Sequence, residues 1–221
     1  MQMYWQEESD NDQFVVPDNV LDLSFRIECK ALPVDHAWAL SKEIQRILPW
    51  FAEERLCGLH LIYGADSGNG WERPQGSDDT LYLSRRTRLQ LRLPQARIDD
   101  AQALNGKTLH IQGMPLTIGS AKAHPLGITT TLYSRYVATD ASNDEDQFLE
   151  QSLADLHRLR LRFKKILAGK EARFQGPDGP QSSRSLMVAG LSYEDAVTLQ
   201  QHGVGPLRHR GFGLFVPHKT V

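Results

Sequence analysis

The chain has 221 residues, 40% of them hydrophobic and 24% charged, which is the composition of an ordinary soluble globular protein with room for one large core or two small ones. Its formal net charge of -2 excludes a histone-like polycation, and no apolar run is long enough for a membrane span. Two cysteines, Cys29 and Cys57, are too few for a disulfide framework or a cysteine metal site, and the acidic start is unlike a signal peptide. The expectation is a cytoplasmic protein with no metal, no cofactor and no membrane partner.

In chain order, residues 1–17 form an acidic arm. Val20–Ala31 alternates Leu21, Leu23, Phe25 and Ile27 with Asp22, Ser24, Arg26 and Glu28, the period of a half-buried strand. Pro33 breaks it. Asp35 is placed to cap a helix that runs to about Leu48, before Pro49. Leu56–Tyr63 reads as a second strand. Gly64–Asp79 is a loop rich in Gly, Ser, Asp and Pro, long for a compact domain. Thr80–Leu93 reads as one strand of leucines and arginines. Gln95–Leu104 is a short helix ended by Asn105-Gly106, and Thr108–Ile118 is a hairpin around Gly113.

The second half repeats this order. Thr129–Ala138 is a strand, and Ser142 with Glu145 offers a capping box to the helix that follows. Leu159–Ala168 alternates basic and apolar residues like a strand with one wet face. Lys170–Ser183 reads as a turn region and Ser185–Ala189 as a strand. Ser192 with Asp195 caps a last helix, which Gly203 ends before the strand Leu214–Val216. The fold class is therefore α+β: two tandem ferredoxin-like (βαββαβ, RRM-like) domains, residues 18–125 and 126–221. No RNP-type aromatic strand motif is present.

Charge is segregated. The first 22 residues carry six acids and no Lys or Arg. Leu81–Ile98 carries five arginines and no acid, and His157–Arg173 carries seven Lys/Arg against Glu171 alone. With Arg208, Arg210 and Lys219 these make three basic blocks that a fold could gather into a groove for a polyanion. The C-terminal stretch GVGPLRHRGFGLFVPHKTV is the most distinctive. Gly203, Gly205, Gly211 and Gly213 surround Arg208-His209-Arg210, and no acid lies between Gln201 and Val221. Glycine lets backbone amides approach an anion, and arginine grips phosphate bidentately. A phosphate cradle and a mobile solvated loop both fit this spacing.

LPVDHAWAL (Leu32–Leu40), LSRRTRLQLRLP (Leu83–Pro94), TLHIQGMPLTIG (Thr108–Gly119) and GVGPLRHRGFGLFVPHK (Gly203–Lys219) resemble the RAMP superfamily. Within it the chain is similar to the CRISPR-associated endoribonucleases that cut precursor CRISPR RNA within its repeats. The resemblance covers roughly Val20 to the end and leaves the acidic arm without a counterpart. It implies a metal-independent reaction in which the ribose 2′-OH attacks the adjacent phosphorus, leaving a 2′,3′-cyclic phosphate and a 5′-OH. The implied partners are CRISPR repeat RNA, as a hairpin, and other CRISPR effector subunits.

That family places a histidine at the first helix, which selects His36 as the catalytic imidazole; a filled first-turn position is its structural alternative. Arg85 or Arg86 would stabilise the transition-state phosphate, or else guard a sheet edge. Ser84 would position the 2′-OH, or be an ordinary strand serine. Arg158, Arg160, Arg162, Lys164 and Lys165 would line an RNA stem. Arg208, His209 and Arg210, with the four glycines, would bind RNA, and His209 is a second candidate for the general acid. Trp38 and Trp50 read as packing residues, Trp71 and Tyr82 as candidate stacking surfaces. Two rival readings remain: a RAMP-type subunit that holds guide RNA without cutting it, and a protein–protein assembly module.

Overall fold

The computed structural model describes residues 14–64, 74, 79–177 and 179–218. Most of the acidic arm, most of the Gly64–Asp79 loop, Trp71 and Lys219 fall outside the described residues.

The chain forms two antiparallel sheets. The first contains β1 (Val20–Glu28), β3 (Gly58–His60), β5 (Arg88–Pro94), β6 (Thr108–Ile111) and β7 (Met114–Pro125), in the order β3-β5-β1-β7-β6. A separate ladder joins β2 (Ala31–Pro33) to β4 (Thr80–Tyr82). The second sheet contains β8 (Thr131–Thr139), β9 (Lys165–Gly176), β10 (Gly179–Ala189) and β11 (Val216–Pro217), in the order β11-β8-β10-β9. The helices are α1 (Ala37–Ile47), α2 (Ile98–Ala101), α3 (Glu145–Arg158) and α4 (Tyr193–His202). Setting β6 aside, each sheet places the fourth strand of its unit beside the first and the third beside the second, the ferredoxin-like arrangement.

Local chemistry accounts for these elements. On β1, Leu23 and Phe25 are buried while Arg26 and Glu28 are exposed, as alternation requires. On α1, Ala37, Leu40, Ser41 and Ile44 face inward at helical spacing. Each fully buried Leu or Phe contributes roughly 1.5–3 kcal/mol. The β6–β7 turn uses Gln112 and Gly113, both at positive φ, which suits a two-residue hairpin loop. The N-terminal core does not stop at its own sheet: Tyr136, Ala138, Phe174 and Phe212 from the second half complete it. The apolar core thus continues across the seam between the halves.

Five local expectations need correction. Thr80–Leu93 is two strands, because the chain turns at Ser84–Thr87 and β4 pairs with β2 instead of the main sheet. Leu159–Ala168 is a strand only from Lys165, where β9 begins; residues 159–164 are not strand. α3 ends there in a Schellman turn, with Arg160 left-handed at φ 58, the Arg160 N–H on His157 O and the Leu161 N–H on Leu156 O. The region Lys170–Ser183 is a long hairpin of β9 and β10, whose cross-strand pairing runs from Glu171 opposite Arg184 to Gly176 opposite Gly179. The α3 capping box is Asp144 with Gln147, two residues beyond the one expected. Asp35 does not cap α1. Its carboxylate accepts the Gln175 N–H from β9, and His36 stands at the N-cap without a side-chain cap bond. The Ser192 cap on α4 is as expected. No helix among the described residues is long and apolar enough to cross a membrane.

Candidate nucleic-acid interface

The Gly-rich stretch lies between the two halves and is clamped by both. Its glycines serve close packing. A Cβ on Gly203 would stand 2.2 Å from Gly213 O, and one on Gly213 would stand 2.0 Å from Val204 O. Both residues also have positive φ, at 69° and 67°. Their amides are already engaged: Gly203 on Leu199 O, Gly205 on the Asp155 carboxylate, Gly211 on Arg208 O and Gly213 on Tyr136 O. The expected phosphate cradle of glycine amides is therefore corrected. The loop bonds to the protein itself, and one of its amides already holds an internal anion.

Arg208 is likewise turned inward. It is 8% exposed, and it donates from Nε to Cys57 O at 3.3 Å and from Nη2 to Leu56 O at 3.5 Å. Its Nη1 is buried without a hydrogen-bond partner. Burial, then the nearby Arg92 cation, pushes its guanidinium down to about 9, so it stays charged at neutral pH. It braces the loop and is not presented to a ligand.

The next two residues behave differently. Ser41 on α1 donates from Oγ to His209 O at 2.7 Å and itself accepts from Gln45 Nε2 at 2.7 Å. This fixes the loop against α1 and leaves the His209 ring partly exposed. Burial, then the adjacent Arg210 cation, holds His209 below the ordinary histidine value, so its imidazole is neutral near pH 7. The Arg210 guanidinium lies over the Trp38 ring of α1, 4.0 Å from its centroid. Close by, Arg135 of β8 covers the Tyr63 ring at 4.8 Å, and burial raises the Tyr63 hydroxyl above its ordinary value.

His36 sits in the same region but is 2% exposed. Its Nδ1 is 2.9 Å from Pro33 O, and its Nε2 accepts the Ile62 N–H at 3.1 Å. The carbonyl needs a donor and the amide needs an acceptor, which fixes the neutral tautomer with the proton on Nδ1. In this arrangement both ring nitrogens meet backbone groups.

Ser84, Arg85 and Arg86 are far along the first sheet, in the turn before β5. Ser84 Oγ accepts the Arg86 N–H at 3.2 Å, so it stabilises its own turn. Ser84 and Arg85 line an open groove of about 670 Å³ with Arg26, Glu28, Lys30 and Arg88. The block near 160 is dispersed. Arg158 pairs with Asp155 at 2.8 Å, Arg162 is 3.6 Å from Asp195, Arg160 stops α3, the Lys164 stem packs on Gly190, and Lys165 begins the edge strand β9.

The family model described as Cas6 Crispr matches residues 21–220. The chain belongs to the Cas6 family. A Myxococcus xanthus (strain DK1622) protein named CRISPR-associated endonuclease Cas6 is 28% identical over 206 residues, 89% of this chain and 81% of that one. A solved CRISPR-associated protein Cas6 superposes with a TM-score of 0.66 at 12% identity, over 90% of this chain and 100% of the other. A RAMP protein described as binding different RNA substrates gives 0.62 at 14% identity, over 89% and 98%. At these identities the two structures show a shared fold.

Sequence reasoning missed what locks the two halves of this Cas6 chain together. Arg92, among the leucines of β5, is 1% exposed. It meets both carboxylate oxygens of Asp22 at 2.8 Å and donates from Nη1 to Gln200 O and Phe215 O, each at 2.8 Å. His60 adds a contact to Asp22 at 3.2 Å. Burial alone would raise the Asp22 carboxyl, but His60 and Arg92 hold it far below the carboxylate range. Alternation reads Asp22 as one more polar-face residue of β1, so the local pattern carried no signal for the pair.

Proposed function

We propose that this Cas6 family member is an endoribonuclease that binds CRISPR repeat RNA and cuts precursor CRISPR RNA at the seam. The reaction is metal-independent. The 2′-oxygen bonds to phosphorus, the P–O5′ bond breaks, and the products carry a 2′,3′-cyclic phosphate and a 5′-OH. One group takes the 2′-OH proton and another returns a proton to O5′.

The observation that carries this reading is the His209–Arg210 pair. A partly exposed neutral imidazole stands next to a guanidinium braced on Trp38, on a loop that both halves clamp. Such a pair supplies proton transfer and a cation for the phosphorane from one rigid place. The naming of the Myxococcus xanthus relative as an endonuclease supports the same reading. Proton transfer is assigned to His209. His36 is assigned to positioning, because its Nε2 becomes a base only if the Ile62 amide lets go.

The test is single-turnover cleavage of repeat RNA in EDTA. His209→Ala is expected to slow cleavage by about 10²–10⁴ with binding retained. The wild-type rate is expected to fall as pH drops below about 6.5, and Arg210→Ala to move that fall to higher pH by removing the like charge. Full-speed cleavage by His209→Ala, together with loss of cleavage in a folded His36→Ala, reverses the assignment. Retention of repeat RNA by a wild-type protein that does not cut it favours the guide-holding RAMP reading.

A further inference from the structure

The groove beside Ser84 and Arg85 shares no lining residue with the His209–Arg210 loop. Arg26 and Arg88 face each other directly across β1 and β5. Like charges so placed repel. Neither is paired with a carboxylate among the described residues, and the same holds for Lys30 and Arg85. Other surface arginines do pair: Arg46 with Glu43, Arg97 with Asp100, Arg158 with Asp155 and Arg184 with Glu171. Glu28 is the one acid that lines the groove.

The groove is also pre-shaped. Arg88 Nη1 donates to Arg85 O at 3.1 Å and Thr87 O at 2.8 Å, and Ser84 Oγ holds the Arg86 amide, so the turn carrying Arg85 is closed by its own bonds. Lys122 extends the row, because its partner Ser24 lies two residues from Arg26 on the same face of β1. An aromatic residue adjoins the groove in the chain, next to its lining residues Leu83 and Lys30. Tyr82 ends β4 opposite Ala31, next to Lys30, whose carbonyl takes the Leu83 N–H at 2.9 Å. It is 76% exposed, an unusual position for a large ring.

We propose that this groove is a second RNA subsite that takes a single-stranded stretch flanking the repeat hairpin. Arg26, Lys30, Arg85 and Arg88 contact successive phosphates and Tyr82 stacks on one base. Unpaired cations along a groove with an exposed ring beside them are the two parts by which proteins hold single strands without reading sequence. A duplex is disfavoured, since its bases are already stacked and offer Tyr82 no face. The proposal rests on the RNA-processing reading for its ligand, while its own residues lie outside the seam.

The experiment measures fluorescence anisotropy with three labelled RNAs: a repeat hairpin alone, the same hairpin with a single-stranded flank, and a short oligouridine. Tyr82→Ala is expected to weaken the flanked RNA about tenfold or more and leave the bare hairpin within about twofold. Arg26→Ala with Arg85→Ala should lower the slope of log affinity against log salt by about 1.4 for the flanked RNA, about 0.7 per phosphate lost. Equal losses on both hairpins, or no loss on either, overturn the subsite. Oligouridine separates the two readings. If the wild type ignores the hairpin yet binds oligouridine through Tyr82, the subsite stands and repeat processing falls. If it cuts the repeat with Tyr82→Ala binding the flanked RNA as well as wild type does, processing stands and the subsite falls.

Discussion

The seam and the groove are built from the same residue, and they use it in opposite ways. At the seam, Arg92 and Arg208 are buried and spend their donors on protein: a carboxylate and two carbonyls for Arg92, two carbonyls for Arg208. At the groove, Arg26 and Arg85 have no ion pair among the described residues, and Arg26 opposes another arginine. A guanidinium removed from water is costly unless protein groups take its donors, a match that Arg92 makes more fully than Arg208, whose Nη1 has no hydrogen-bond partner. The first kind joins domains and the second attracts an anion. Counting arginines, or noting that glycines surround them, does not tell the two apart.

The largest expected effect comes from breaking the seam's charge pair. Asp22→Asn keeps the shape and leaves Arg92 buried opposite a neutral group. We expect a loss of about 3–5 kcal/mol in denaturant unfolding. Its pH signature follows from the depressed Asp22 carboxyl. The wild-type contribution is fully present above the unfolded carboxylate value, about pH 4, and is lost as pH falls below it toward the folded value. The variant should lack that acid-side loss. A wild-type stability in mild acid that matches the variant's would show that Asp22 is not the seam's anchor.

A smaller effect tests Arg208 directly. Arg208→Met removes two long hydrogen bonds but also removes a buried cation, so the two changes largely offset. The expected net change is within about 2 kcal/mol, with repeat-RNA affinity altered less than about twofold. A tenfold loss of affinity at unchanged stability would return Arg208 to the RNA-binding surface and erase the contrast with Arg210.

What was legible in the sequence follows the same division. Periodicity exposed the repeated βαββαβ order, because alternation and helical spacing are local consequences of burial on one side. Ser192 revealed its cap for the same reason. The split of Thr80–Leu93 was not legible, since the partner of β4 is β2, some fifty residues earlier, and pairing partners leave no mark in a local window. The β9–β10 hairpin was hidden because Gly169, Gly176 and Gly179 look like turns when the ladder is not in view. At the site, the spacing marked the Gly-rich stretch as unusual, but the close packing of its glycines was not legible there. A side chain on Gly203 would strike the Gly213 backbone and one on Gly213 the Val204 backbone, contacts ten and nine residues apart in the chain. His36 was found by position, while the two backbone bonds that occupy its ring come from Pro33 and Ile62, the latter in a segment read only as a strand.

The smallest expected effect concerns a cation assigned from sequence to an RNA stem. Arg160 occupies the left-handed position that closes α3, at φ 58, a conformation that suits glycine better than arginine. Leu156 and Leu161, on either side of it, share the second core. Arg160→Gly relieves the strain and keeps the Schellman bonds, although glycine also gives the unfolded chain more freedom. The net expectation is a gain of about 0.5–1 kcal/mol, or roughly 1–4 °C in Tm for a chain of this size. Repeat-RNA affinity and its salt slope should not move. If the slope instead drops by about 0.7 to 0.9, Arg160 contacts a phosphate, and the block after α3 belongs with the open arginines of the groove.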